Sequence, residues 1–374
     1  MAARPLQREL TLWLFTLCMS ACAWAATPEH KFAVGLASSI NDSPAVVSVA
    51  KWSGATSIRV DAPWSQIELA PGVYALPNWL DAQLNAYEKA GISPLLILAY
   101  GNPIYQIKKP LDDVSRERFS AYATWLVKQL RGRVTHFQIW NEWETRTGGG
   151  DPGSAEDYLK LAEVVIPRLR VANPEAVLIG NGISFPGLTT SWIDAFLKDQ
   201  RYQILDGIAA HPYVWHSKSD WRPEAAIALL EKLSQKAYTK SGNRMPIYVT
   251  EFGYPDFDDK LGTSPELNAQ YLKRFMLIAS SRPWIAGVWW YCIRDQGTDR
   301  RNKEHGFGLF DQTLRPKPAA IVLKEISPHI NSTVRGRLQQ QQEGYSFQSS
   351  NGLLKFSWQP EDVSVKRSTA GTTK

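Results

Sequence analysis

The sequence predicts an α/β fold, a (β/α)8 TIM barrel that carries a small β appendage at its carboxyl end. Eight short apolar runs rich in β-branched residues alternate with longer stretches of helical period along the 374 residues. Several of those stretches begin at residues that cap helices. A doubly wound open sheet is the alternative, but it normally has a glycine-rich phosphate loop after its first strand. Residues 35–38 (Gly-Leu-Ala-Ser) do not match such a loop.

Residues 1–25 are predicted to be a signal peptide. Arg4 and Arg8 supply a positive start, a short apolar run follows, and Ala-Trp-Ala at 23–25 matches a small-x-small cleavage site. We therefore expect an exported protein, periplasmic or secreted. Anchoring as a lipoprotein through Cys22 is the alternative, because the four residues that end there resemble a bacterial lipoprotein box. No later stretch is apolar enough to predict a transmembrane helix.

Residues 26–330 are predicted to form the barrel, with a strand and a helix in each of its units. Asn78, Ser115, Ser154 and Ser264 are each expected to cap the helix that follows, because their side-chain oxygens can accept hydrogen bonds from free N–H groups. The helix after Ser115 presents apolar side chains at every third or fourth position. The predicted strands cover residues 31–37, 57–61, 93–100, 134–140, 176–180, 207–211, 246–250 and 286–291.

The tail of the chain has a different pattern. Residues 331–360 contain short runs in which polar and apolar side chains alternate, and a turn sequence, Ser-Asn-Gly, separates two of them at 350–352. This pattern predicts a small β appendage. Residues 361–374 are expected to be disordered, as chain ends often are.

The composition is typical of a soluble globular protein, with 44% hydrophobic and 21% charged residues. The 15 Trp and 14 Tyr include side chains that could stack on a flat ligand, although most are expected to fill the core. The six His show no paired metal-ligand spacing, and no metal or other cofactor is expected. The net charge of +6 is spread along the chain, and no basic run with interleaved aromatics indicates nucleic acid as a partner.

Two glutamates end strands that should lie across the barrel from each other. The fourth and seventh predicted strands lead into Glu142 and Glu251, and the second contains Arg59. The chemistry of such barrels gathers at these carboxyl ends. Cleavage of a glycosidic bond needs one carboxylic acid that protonates the leaving oxygen and a second carboxylate that attacks the sugar or activates water. Either glutamate alone could belong to a surface turn, but the pair with Arg59 indicates a catalytic site.

The motifs at these strand ends resemble those of clan A glycoside hydrolases, most of all family 39 and related bacterial enzymes associated with exopolysaccharides. IWNEWE at 139–144 resembles the Asn-Glu signature of the fourth strand, and VTEFGYP at 249–255 resembles the nucleophile motif of the seventh. The resemblance covers residues 32 to about 326. Many clan members have proline where this chain has Trp143. Further motifs that strengthen the resemblance are AAHPY at 209–213 and WWYCIRD at 289–295.

The resemblance implies that Glu142 is the general acid/base and Glu251 the nucleophile. It also implies that Asn141 binds the 2-hydroxyl of the sugar at the cleavage point, and that Arg59 lies beneath Glu251 and keeps it ionised. Glu144 is then expected to be a rim residue or the partner of an arginine.

Further residues at the strand ends are implied to bind the substrate. His211 and Tyr213 would border the two glutamates, with the Tyr hydroxyl near Glu251, and Trp290 would form a platform for the sugar ring. The alternative for His211 is an ordinary core histidine. Trp289 is the alternative platform, because the sequence does not decide which side of a strand faces inward. Other aromatics that could line subsites are Trp64, Trp143 and Trp215.

The sequence therefore predicts an exported retaining β-glycoside hydrolase that acts on a polysaccharide or oligosaccharide. The export signal and the aromatic residues at the strand ends favour an endo-acting enzyme on an extracellular or envelope polysaccharide. The alternatives are an exo-acting β-xylosidase-like glycosidase and a non-catalytic carbohydrate-binding barrel, which would have little reason to retain both glutamates. The triple glycine at 148–150 is expected to form a flexible loop at the edge of the cleft.

Overall fold

The barrel predicted from the sequence is present in the computed structural model, which describes residues 31–217, 219–341 and 344–360. All eight predicted barrel strands are confirmed, and the largest difference in bounds is at the fifth, which continues to Ser184. The predicted signal peptide (1–25) and the predicted disordered tail (361–374) lie outside the described residues. The strands up to the end of the barrel are β1 (Ala33–Ala37), β2 (Ser57–Pro63), β3 (Glu68–Ala70), β4 (Val73–Tyr74), β5 (Ser93–Ala99), β6 (His136–Ile139), β7 (Val177–Ser184), β8 (Gly207–His211), β9 (Ile247–Phe252) and β10 (Ile285–Trp290).

The closed sheet has the order β1, β10, β9, β8, β7, β6, β5, β2, while β3 and β4 form a separate hairpin. The barrel strands pair in parallel, so each connection must cross back along the outside of the barrel, and helices fill most of these connections. None of the helices among the described residues is long and apolar enough to cross a membrane. The helices are α1 (Val46–Trp52), α2 (Trp64–Ile67), α3 (Asn78–Ala90), α4 (Asp113–Gln129), α5 (Ala155–Ala172), α6 (Phe185–Thr189), α7 (Ser191–Lys198), α8 (Pro223–Lys236), α9 (Pro265–Ser280) and α10 (Pro318–Ile330).

The helix starts agree with the sequence in two of four places. Ser154 and Ser264 accept hydrogen bonds from the first turns of α5 and α9, as predicted. Helix α4 begins earlier than expected, because Asp112 is its cap and Ser115 bonds back to Asp112 from the first turn. Asn78 is already the first residue of α3 and makes no capping bond.

Neighbouring tryptophans of β10 fill opposite sides of the barrel wall. The indole of Trp289 lies inside the barrel, where its Nε1 donates to Ser57 Oγ at 3.0 Å. Gly35 of β1 makes room for it, since a Cβ there would lie 2.4 Å from the indole. Trp290 packs on the other side against Phe252, whose ring stacks on that of Phe275 in α9. Successive strand residues alternate between the interior and the helix layer, so only one of the two can face inward.

The predicted β appendage is a three-stranded antiparallel sheet. Its strands are β11 (Arg337–Gln341), β12 (Gly344–Gln348) and β13 (Lys355–Trp358). The alternating pattern places Phe347, Phe356 and Trp358 on one face, with Phe347 fully buried. Trp358 Nε1 donates to Glu224 of α8 at 2.9 Å, and Lys273 of α9 lies over the Phe356 ring. The sheet is therefore fastened to the outer surface of the helix layer.

Candidate active site

The carboxyl ends of the barrel strands open into a cleft of about 730 Å³. Its floor and rim combine charged side chains with aromatic rings, a composition that suits a ligand rich in hydroxyl groups and with apolar faces. Its polar lining includes Arg59, Asp61, Asn141, Glu142, Tyr213 and Glu251. The aromatic residues are Tyr100, Phe185, Trp215, Tyr291 and Phe307.

Glu142 is held at the end of β6 by an unusual backbone. Trp140 (φ 73°) and Glu142 (φ 46°) both have left-handed conformations, which residues with a side chain seldom adopt. Strand β7 holds this backbone in place through two hydrogen bonds. Glu142 N donates to the carbonyl of Gly182 at 3.1 Å, and Trp143 N donates to Asn181 Oδ1 at 3.0 Å. Backbone strain that the surroundings enforce in this way is characteristic of functional sites.

The triple glycine packs closely against the segment that carries Glu142. A Cβ on Gly148 would lie 2.2 Å from the Glu142 carbonyl oxygen, so only glycine fits there. Trp140 Nε1 donates to the Gly148 carbonyl at 3.0 Å. Lys109 Nζ bonds the carbonyls of Thr145 at 3.1 Å and Asp151 at 2.6 Å, which ties the two ends of the loop together. The glycines thus allow a close backbone approach beside the cleft.

Glu251 lies in β9 and faces Arg59 and Tyr213. Arg59 Nη2 lies 2.7 Å from Glu251 Oε1, and the Tyr213 hydroxyl donates to Oε2 at 3.1 Å. Burial acts to raise the pKa of the Glu251 carboxyl, but Arg59, then His211 and Tyr213, act to lower it. The net pKa lies below the usual value. Glu251 is therefore ionised at neutral pH.

His211 connects the two glutamates from beneath. The ring is fully buried, with Nδ1 3.0 Å from Glu142 Oε1 and 3.7 Å from Glu251 Oε2. Nε2 lies 3.0 Å from the Thr250 hydroxyl, which fixes the ring orientation. The histidine is buried, as the core alternative supposed, and it also contacts both glutamates.

Asn141 extends the same network towards β5. Its Oδ1 accepts from Arg59 Nη2 at 2.8 Å, and its Nδ2 donates to the Tyr100 hydroxyl at 3.1 Å. The side chain lines the cleft next to Glu142 and is almost fully buried. Arg59 thus holds both Asn141 and Glu251 with one nitrogen and fixes their relative positions.

The potential ligand atoms of Glu142, His211 and Glu251 all lie within 4.8 Å of one another, so these described residues could hold a cation. The guanidinium of Arg59 already supplies a positive charge 2.7 Å from Glu251. A carboxylate pair with one member neutralised by arginine and the other hydrogen-bonded to an imidazole fits proton transfer better than metal binding.

The predicted platform residue is not in the cleft, and this assignment is corrected. Trp290 has no exposed surface, because it points into the helix layer, and Trp289 is buried inside the barrel. The aromatic side chain of this segment that lines the cleft is Tyr291, whose ring meets those of Tyr213 and Phe307 edge to face. The sequence predicted an aromatic platform in this segment but placed it at Trp290, with Trp289 as the alternative, and missed Tyr291.

The other expected rim residues divide between core and cleft. Trp64 and Trp143 are fully buried, whereas Trp215 lines the cleft. Glu144 makes no ion pair with an arginine among the described contacts and instead accepts from Asn181 Nδ2 at 2.7 Å and from the Ser184 amide at 2.6 Å. Glu144 therefore links the segment that follows β6 to residues of β7.

No protein-family model and no curated protein matches the sequence. Solved structures match in fold. A family 39 glycoside hydrolase from Bacteroides cellulosilyticus WH2 superimposes with a TM-score of 0.72 at 23% identity, over 86% of this chain and 71% of that one. GH5_18 from Streptomyces cattleya, in complex with GlcNAc, has a TM-score of 0.66 at 17% identity, over 80% of each chain.

A third match is a monomeric β-xylosidase from Caulobacter crescentus CB15, with a TM-score of 0.63 at 16% identity over 91% of this chain and 76% of that one. At these identities the likeness concerns the fold. The resemblance expected from the strand-end motifs is therefore confirmed at the level of the fold: this chain has a (β/α)8 barrel similar to those of the family 39 and family 5 structures.

Proposed function

We propose that the protein is a retaining β-glycoside hydrolase in which Glu251 is the nucleophile and Glu142 the general acid/base. The closeness of the two carboxylates carries this proposal, because one oxygen of Glu142 and one of Glu251 lie within 4.8 Å of each other. Retaining enzymes place the two carboxyl groups about 5–5.5 Å apart, whereas inverting enzymes leave about 6.5–9.5 Å for a water molecule. The lowered pKa of Glu251 supports the assignment of roles, since the nucleophile must be ionised.

The proposed reaction has two displacements. Glu251 attacks the anomeric carbon while Glu142 gives its proton to the departing glycosidic oxygen, which leaves a glycosyl ester on Glu251. Glu142 then takes a proton from a water molecule, whose oxygen attacks the same carbon and releases Glu251. His211 Nδ1 lies 3.0 Å from Glu142 Oε1, whereas the Thr145 hydroxyl donates to Oε2 only at 3.5 Å, so Oε2 is the oxygen proposed to carry the transferred proton.

The proposed substrate is a β-linked polysaccharide or oligosaccharide. The cleft volume of about 730 Å³ lies in the upper part of the usual range for ligand sites, roughly 300–1,000 Å³. Three of the aromatic residues that line it are Trp215, Tyr291 and Phe185. We propose endo action on an extracellular or envelope polysaccharide. Exo action is the alternative. It is supported by the names of two proteins of similar fold, the β-xylosidase and an exo-β-1,4-mannosidase from an Opitutaceae bacterium.

Export is part of the proposal and rests on the predicted signal peptide. The mass of the protein isolated from its host decides it: cleavage near Ala25 gives the plain amino terminus, and lipidation adds acyl chains at Cys22. A protein that retains residues 1–25 after synthesis in that host would contradict export.

Substitution of the two glutamates tests the reaction. Glu251→Gln should lower turnover roughly 10⁴-fold or more on every substrate, because no other group can form the glycosyl ester. Glu142→Ala should lose roughly 10²–10⁴-fold on sugars with poor leaving groups and much less on aryl glycosides. Azide should restore activity to Glu142→Ala and give a glycosyl azide. Glu163→Gln, an exposed carboxylate of α5, is the matched control and should retain full activity.

The wild-type protein is tested first on a panel of polysaccharides and aryl β-glycosides. A ladder of oligosaccharides indicates endo action, and single sugars indicate exo action. Binding of a polysaccharide with no turnover on any member of the panel would instead show a non-catalytic barrel. Full activity in Glu251→Gln would overturn the assignment of the nucleophile.

A further inference from the structure

A third carboxylate faces the cleft and has no part in the proposed mechanism. Asp61 lies in β2 two residues after Arg59, so the two side chains point to the same side of the strand. Val60, between them, is fully buried in the opposite direction. Asp61 lines the same cleft as Glu251 and Tyr100 and is partly exposed to it.

The carboxylate of Asp61 is not satisfied by the protein. Its Oδ1 is buried and has no hydrogen-bond partner. The nearest cation, Arg59, uses Nη2 for Asn141 and Glu251, and no ion pair within 4.0 Å joins Arg59 to Asp61 in the described part of the chain. A carboxylate without donors in so buried a position is costly, and proteins usually satisfy such a group with water or a ligand. Because Asp61 is partly exposed to the cleft, Oδ2 is the oxygen that a ligand can reach.

The charges around Asp61 are unequal. Two carboxylates, Asp61 and Glu251, lie next to one buried guanidinium, that of Arg59. Burial raises the pKa of Asp61, Arg59 lowers it, Glu251 raises it and His211 lowers it, and the net pKa lies above the usual value. This corner of the cleft therefore favours neutral hydrogen-bond donors and repels a further negative charge.

We propose that Asp61 determines specificity by accepting hydrogen bonds from ring hydroxyls of the bound sugar, and that it selects a neutral sugar over a uronic acid at that position. The inference rests on the proposed function and names the substrate class of the same site. Sugar hydroxyls are donors of the right kind, and a site built to bind a hydroxyl discriminates strongly against the analogue that lacks it. A uronic acid bound there would place its carboxylate near those of Asp61 and Glu251, which would repel it.

Kinetics with modified sugars test the role of Asp61. The probes are aryl β-glucosides, β-xylosides and β-mannosides, followed by the monodeoxy analogues of the best of the three. Asp61→Ala should lower kcat/KM roughly 10–100-fold on the parent glycoside, as expected for a lost hydrogen bond to a charged group. On the deoxy analogue that lacks the contacted hydroxyl, the same substitution should change kcat/KM less than about threefold.

The charge effect is measured with Asp61→Asn, which keeps the shape of the side chain. Wild-type protein should prefer an aryl β-glucoside to the matching β-glucuronide, and Asp61→Asn should reduce that preference roughly tenfold. Asp194→Asn, an exposed aspartate on α7, is the matched control and should change neither ratio. Thermal unfolding of all variants shows whether each is folded.

A positioning role gives a different result. If Asp61 acts only through Arg59, its substitution lowers kcat/KM equally on the parent and on every deoxy analogue, and this result overturns the proposal. Calorimetric titration of oligosaccharides into Glu142→Gln and Glu142→Gln/Asp61→Ala separates this proposal from the reaction. Sugar binding that depends on Asp61 without turnover in the wild type refutes the hydrolase and supports the role of Asp61. Turnover that does not change when Asp61 is substituted supports the hydrolase and refutes the role of Asp61.

Discussion

Arg59 is the residue on which the charge distribution of the cleft depends. One of its nitrogens contacts both Asn141 and Glu251, and its side chain is almost fully buried. An arginine suits this position because its charge persists on burial and its planar group reaches two acceptors at once. The ionised state of Glu251 follows from this contact more than from any other single neighbour.

Replacement of Arg59 should therefore change the pH dependence of the reaction. Arg59 lowers the pKa of Glu251, so Arg59→Met should raise it, and the acidic limb of kcat/KM against pH should move to higher pH. Stability should fall by roughly 3–5 kcal/mol, because a buried carboxylate loses its partner. Arg59→Lys keeps the charge and should show a smaller shift. An unchanged acidic limb in Arg59→Met would mean that the limb belongs to another group.

At the scale of elements, the loop after β6 shows how backbone packing places Glu142, the proposed general acid/base. Glu142 has a left-handed backbone, and Gly148 returns to within contact of its carbonyl oxygen. Lys109 joins the two ends of this loop. The glycines therefore determine where the Glu142 carboxyl lies, although none of them can take part in the chemistry.

Two alanine substitutions in this loop should have different effects. The Cβ of Gly148→Ala would lie 2.2 Å from the Glu142 carbonyl oxygen, and the resulting displacement should lower kcat/KM roughly 10–100-fold. The Cβ of Gly149→Ala would lie 3.5 Å from the Lys108 carbonyl oxygen and 4.0 Å from the Tyr100 ring, which are ordinary contacts, but the backbone there has a φ of 84°. This substitution should cost about 1–2 kcal/mol in stability and leave kcat/KM nearly unchanged. Equal losses of activity in both variants would show that the whole loop, and not the Gly148 contact, matters.

The carboxyl-terminal sheet shows a different relation between sequence and structure. Alternation around Phe347 and Trp358 predicted β12, β13 and the turn between them, whereas the polar run that forms most of β11 was not recognised as a strand. The contacts that fasten the sheet, Trp358 with Glu224 and Lys273 with Phe356, join it to α8 and α9 and have no signal in the sequence. No described residue of the sheet lines the cleft.

At the scale of the whole molecule, closure of the barrel brings together residues from distant parts of the chain. Arg59 comes from β2, Glu142 follows β6, and Glu251 lies in β9, yet their side chains form one network. The parallel arrangement makes this possible, because all the carboxyl ends lie at one end of the barrel. The separation of the two glutamates is therefore a property of the closed sheet.

The anomeric configuration of the first product should depend on the distance between the Glu142 and Glu251 carboxylates. Because the facing carboxylate oxygens lie within 4.8 Å, we expect the first-formed product to retain the β configuration. Proton NMR of the anomeric signals during the first minutes of hydrolysis distinguishes this from inversion. Early α-anomer would show that a water molecule lies between the carboxylates during the reaction.

The sequence by itself determined the order of the eight barrel strands and the residues at their ends, but it did not predict the β3–β4 hairpin or the short helices α6 and α7. Apolar periodicity and capping side chains are local properties, and the position of Glu142 and Glu251 after their strands follows from them. The start of α4 was missed by a few residues, because Asp112 and Ser115 can both cap and only the backbone conformation decides between them.

The tertiary structure alone decided which side chains face the cleft. Trp290 is buried in the helix layer and Tyr291 lines the cleft, because strand register and the inward side of β10 depend on pairing with β1 and β9. The bridging position of His211 likewise depends on contacts between strands. The same holds for the unpaired oxygen of Asp61, because no neighbouring strand in the described part of the chain supplies a donor to it. A residue's type is local, but its distance from a partner on another strand exists only once the barrel has closed.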